Sequence, residues 1–120
     1  MNLAEVTAPA LIAAVRRVIA KRGPEYVYPA INCTYGGADE GLYSERCIFG
    51  EALIGELGVP YDWKWEGKSI DDILVAAGYD DVAYYSAAND VQEAQDSGCA
   101  YGEIEGLVPS FFAYGAEVVG

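Results

Sequence analysis

Residues 44–60, SERCIFGEALIGELGVP, decide how the chain is read. Ser44 can cap a helix, Glu45 falls in its first turn, and Gly58-Val59-Pro60 reads as a left-handed C-cap with a proline stop. Ile48, Phe49, Ala52, Leu53 and Leu57 then share one stripe of a second helix. Gly50 and Gly55 interrupt it, each costing about 1 kcal/mol against alanine in a helix interior. The usual offset is a second backbone passing close by, so both glycines are expected to be structural. Cys47 lies in the first turn beside Arg46, where a helix dipole lowers a thiol pKa. A nucleophile also needs a base, and the chain has no histidine. Cys47 is therefore expected to be a buried, unreactive thiol, with Cys33 packed near it and no bond between them.

Working outward, the helix before this one is the best marked. Thr7 is a good N-cap, Pro9 sits in the first turn, and Leu11, Ile12, Val15, Val18 and Ile19 form one apolar stripe. Arg16, Arg17, Lys21 and Arg22 occupy its second half, and Gly23-Pro24 stops it. Residues 25–36, EYVYPAINCTYG, are β-branched and aromatic, which predicts a small β-hairpin between helices one and two. Residues 36–42 read as a turn-rich loop.

Beyond Pro60, Trp63 and Trp65 alternate in an amphipathic aromatic segment, so one should point inward and one outward. Ser69-Ile70-Asp71-Asp72 resembles a capping box opening a third helix, with Ile70, Ile73, Leu74 and Ala77 as its stripe. A fourth helix is expected within 82–97, where Tyr84, Ala88, Val91 and Gln95 share a face; Val82 to Tyr85 fit a short strand equally well. A fifth, short helix falls around 100–107. The fold predicted is mainly α (α+β): one domain spanning 1–120, four or five helices and the hairpin. Its ordered body is expected at about 5–108, with an apolar tail over 109–120 that either docks or stays loose.

Composition narrows the function classes. The 120 residues carry net charge −12. Residues 1–64 hold eight acids against six bases, and residues 65–120 hold eleven acids against Lys68 alone. Direct binding to nucleic-acid phosphates is disfavoured, while a basic partner suits such a surface. No apolar run is long enough for a membrane span. The three cysteines form no Cys-x-x-Cys, which argues against a zinc ribbon, and the acids show no calcium-loop spacing. No metal, cofactor or catalytic residue is expected. Asp90, Glu93 and Asp96 stud the fourth helix as a candidate contact face, and Trp63 and Trp65 are the candidate aromatic anchors.

Several segments together resemble small proteins encoded by bacteriophages of actinobacteria. They are a Tyr26-Val-Tyr strand, Cys33-Thr-Tyr, Cys47-Ile-Phe-Gly-Glu-Ala-Leu, Leu57-Gly-Val-Pro, Trp65-Glu-Gly-Lys-Ser and Val91-Gln-Glu-Ala-Gln-Asp-Ser-Gly, with Tyr101-Gly-Glu after them. The likeness covers about residues 10–106. Phe49 stands where those proteins carry valine, and Tyr101 where they carry tryptophan. The resemblance implies a phage product working in the host cytoplasm on a host protein, and it transfers no functional residue. The expected function is non-catalytic binding of a host protein with a basic surface through acidic and aromatic residues. The alternatives are a nucleic-acid mimic blocking a DNA-binding protein, and a protein that sequesters a nucleotide or other small molecule. A homodimer is left open.

Overall fold

A computed structural model describes residues 2–29, 34–36 and 46–119. Helix α1, Ala8–Arg22, forms where the sequence places it. Thr7 Oγ1 accepts the Ala10 N–H at 3.3 Å, Lys21 and Arg22 occupy the last turn, and Gly23 ends the helix at φ +94°. Its buried face is Leu11, Ile12, Ala14, Val15 and Val18.

The hairpin expected after α1 is not seen: among the described residues there is no strand, and residues 30–33 of that segment lie outside them. The reason is visible in where the backbone bonds go. The carbonyls of Pro24 and Tyr26 accept the N–H groups of Gly102 and Tyr101, at 2.9 and 2.8 Å. The N–H groups of Tyr35 and Gly36 go to the Glu66 carboxylate, at 3.0 and 2.9 Å. Groups that a partner strand would have satisfied are taken by a helix start and a side chain.

The second helix is shorter and wider than expected. Helix α2 is Ile48–Gly50, with Cys47 as N-cap, and it continues as a π-helical stretch, Glu51–Glu56. Ser44 lies outside the described residues. The far end matches the reading: Gly58 is left-handed at φ +69°, and the Val59 N–H folds back to the Leu53 carbonyl at 2.8 Å. Gly50 has the close neighbour it was assigned. A Cβ there would lie 2.2 Å from the Tyr35 carbonyl oxygen and 2.7 Å from its Cα. Gly55 does not: it is exposed, and its added Cβ would first meet the Glu51 carboxylate. Cys47 is wholly buried, as expected, but it is disulfide-bonded, which corrects the expectation of an unbonded thiol. Cys99 is free, and Cys33 lies outside the described residues.

The rest is helical. Helix α3 is Ile70–Ala76, α4 is Val82–Asp96, α5 is Tyr101–Leu107 and α6 is Pro109–Val119. Asp81 caps α4 through its Oδ1 and the Tyr84 N–H, so residues 82–85 open a helix. The apolar tail is α6, which packs on α1 and α4 and buries Phe111 and Phe112. Arg16 lies over the Phe112 ring at 5.3 Å. The Cα radius of gyration, 13.2 Å, is that of one close-packed body of this length.

Glu56 ties the π-helical stretch to α1, accepting from Arg17 Nε at 2.9 Å and Lys21 Nζ at 2.5 Å. Its side chain is only 6% exposed, although it sits at the surface between those two long cations. Their hydrogen bonds hold its carboxyl pKa below the ordinary glutamate value. A depressed pKa stabilises the fold above the unfolded value of 4.5 and loses that contribution as pH falls through the folded value. Glu56→Gln is expected to cost a few tenths to about 1 kcal/mol at neutral pH, because both cations are largely solvated. The difference from wild type should shrink at high salt and at pH 3, as thermal melts can check.

Candidate functional site

The site is built around the turn between the π-helical stretch and α3. Asp62 Oδ1 accepts the Lys64 N–H at 2.9 Å and starts a short 3₁₀ turn, Trp63–Trp65. The segment is therefore helical rather than extended, yet it still sends its two indoles apart, since residues two apart lie about 120° from each other on a three-residue turn. Trp65 is 8% exposed and meets Tyr35 and Tyr61 edge-on, at 6.2 and 6.1 Å between ring centres. Trp63 is 72% exposed. Glu66 fixes the base of this cluster by accepting from Tyr61 Oη at 2.5 Å as well as from the two backbone N–H groups.

An open cavity of about 540 Å³ lies beside Trp63. Leu3, Val59 and Ile73 supply apolar lining, Tyr61 an aromatic edge, and Lys64 and Lys68 are its two basic residues. The volume falls in the range that small-molecule sites occupy.

The acidic residues of α4 are less of a unit than their spacing suggests. Asp90 and Glu93 are exposed, and Asn89 donates to Glu93 Oε1 at 3.2 Å. Asp96, six residues past Asp90, comes about 120° round the helix. It is half-buried and accepts from Gln95 Nε2 at 3.0 Å. Burial pushes its carboxyl above the ordinary aspartate pKa. Ionised Asp96 thus weakens the fold at neutral pH, and that cost disappears as pH falls through the raised value. Asp96 therefore borders the solvent face of Asp90 and Glu93 and is less exposed than either.

Two glutamines of α4, Gln95 on the stripe already read and Gln92, which was not named, matter more to the architecture. Gln95 Oε1 accepts the Ile48 N–H at 2.6 Å and the Tyr101 hydroxyl at 2.7 Å. Gln92 Oε1 accepts the Ile70 N–H at 2.8 Å, and its Nε2 donates to Tyr35 Oη at 2.6 Å. These buried amides satisfy the N-terminal N–H groups of α2 and α3. They do for α3 what Ser69 was expected to do, since Ser69 makes no side-chain cap bond. The signal was present in the sequence, where Gln95 falls on an apolar stripe. Tyr35 Oη donates in turn to the Lys68 carbonyl at 2.8 Å, and burial raises the Tyr35 pKa.

Among the described residues, no three of His, Cys, Asp and Glu gather as a metal site, and no helix is long and apolar enough to cross a membrane. Comparison with protein-family models, with curated proteins and with solved structures finds no match for this chain.

Proposed function

We propose that this protein is a non-catalytic binding protein that engages a partner protein through the Trp63–Tyr61 surface. The observation that carries the reading is Trp63, held 72% exposed on a capped turn while Trp65 beside it is buried. An exposed indole on a fixed backbone loses little conformational freedom on docking and covers a large apolar area. Asp90 and Glu93 on α4 suit a partner with a basic surface, whose approach they would speed. The phage resemblance read in the sequence favours a bacterial host protein as that partner and the host cytoplasm as the compartment. The Cys47 disulfide weighs against a reducing cytosol, although complete burial shields it from soluble thiols. The nucleic-acid mimic gains less support, since Asp96 is half-buried and its carboxyl pKa is raised.

The test is recovery of the partner from host lysate by tagged wild type and by Trp63→Ala, followed by association kinetics with the purified partner. Trp63→Ala should melt within about 2 °C of wild type, because an exposed ring adds little to stability. Its affinity for the partner should fall by about tenfold or more. Asp90→Asn with Glu93→Gln should slow association and flatten its salt dependence. A partner held equally well by Trp63→Ala sinks this reading.

A further inference from the structure

The seven cations of this chain are not used alike. Arg16 pairs with Glu105 at 3.2 Å, Arg17 and Lys21 share Glu56, and Arg46 meets Glu51 at 3.2 Å. Arg22 donates to the Tyr26 hydroxyl at 2.6 Å and stacks on its ring. Lys64 and Lys68 are the exceptions: among the described residues neither ammonium has an ion pair or a hydrogen bond. Both are exposed to solvent, and both line the same cavity. The charged lining is Lys64, Lys68 and Asp62, so the cavity carries one net positive charge in a protein of −12. Asp62 already has one carboxylate oxygen committed to the Lys64 N–H.

We propose that this cavity binds a small aromatic anion, a flat ring bearing a carboxylate or a phosphate. The ring lies against Trp63 and Tyr61 over the apolar lining, and the anion takes the two ammonium groups. Each half of such a ligand finds its complement: π faces and apolar side chains for the ring, charge-assisted hydrogen bonds for the head. The surrounding acidity repels extended polyanions, which restricts the site to small ligands. This inference does not rest on the partner-binding reading: both use the Trp63 and Tyr61 rings, but only this one needs the lysines.

The probes are AMP and 1-naphthoate, each beside its uncharged counterpart, adenosine and 1-naphthamide. They are titrated into the full chain by amide and indole NMR and by calorimetry. At least one anion should give saturable shifts at the Trp63 indole N–H and at the Lys64 and Lys68 amides. Its neutral counterpart should bind about tenfold more weakly, as loss of a charge-assisted bond implies. Lys64→Gln with Lys68→Gln should lose about tenfold in affinity with no change in melting temperature, since neither side chain holds a structural bond. The proposal is overturned if neither anion binds at millimolar concentration, if neutral probes bind equally well, or if the double variant binds as wild type does. Partner recovery by that double variant should remain complete, so the two readings fail separately.

Discussion

Replacing Gln95 with leucine is expected to destabilise the protein by about 2–6 kcal/mol, the sum of two buried groups deprived of this acceptor at roughly 1–3 kcal/mol each. Gln95 is 0% exposed, and its one carbonyl oxygen serves both the Ile48 N–H and the Tyr101 hydroxyl. Leucine fills a similar volume and accepts neither bond. For a domain of this size the loss is a fall in melting temperature of roughly 8–24 °C, readable by circular dichroism. Gln92→Leu should cost less. It strands the Ile70 N–H, but Tyr35 Oη keeps its bond to the Lys68 carbonyl. If Gln95→Leu melts beside wild type, the α2 N-terminus does not depend on this amide.

The two glycines of the second helix should respond to alanine with opposite signs. At Gly50 the new methyl would meet main chain, 2.2 Å from the Tyr35 carbonyl oxygen and 2.8 Å from its carbonyl carbon. That main chain is pinned. Glu66 accepts the Tyr35 N–H, and the Thr34 carbonyl accepts the Cys47 N–H at 3.0 Å. Gly50→Ala should therefore cost about 2–4 kcal/mol despite alanine's better helix propensity. At Gly55 the obstacle is the carboxylate of Glu51, the far end of a flexible side chain that can swing aside. Gly55→Ala should be neutral or more stable by up to about 1 kcal/mol, less a few tenths if the Arg46–Glu51 pair loosens. Denaturant melts of the two variants check this pair of signs, and a Gly50→Ala protein of wild-type stability would contradict the close approach.

How much of this was legible in the sequence depends on how local the cause is. Helix α1 was readable from end to end because its cap, stripe and stop are all set by neighbours in the chain. So was the Gly58 C-cap. The hairpin was misread because β-propensity in EYVYPAINCTYG reports residues that like a half-buried surface, not the partner that supplies it. Here that partner is the start of α5, some 75 residues on, and Gly102 records the contact: a Cβ there would lie 2.6 Å from Pro24 Cβ. At the candidate site, the exposed-and-buried split of Trp63 and Trp65 followed from their spacing, although the turn that enforces it is 3₁₀. The place of Lys64 and Lys68 at one cavity was not readable, because its lining also draws on Asn2 and Leu3, about sixty residues away in the chain.

The contact between α1 and α6 has a bearing on how the chain is made. Leu11, Ile12, Val15 and Val18 emerge from the ribosome early, while Phe111 and Phe112 follow on the order of ninety residues later. At ordinary elongation rates that is a wait of roughly 5–20 s. A nascent chain thus carries an amphipathic α1 with part of its apolar side unclosed until nearly all of the described fold has been synthesised. Four of the seven cations, Arg16, Arg17, Lys21 and Arg22, ride on that same helix. They keep the waiting segment hydrated and give it a charge opposite to the acidic stretches that must later fold against it.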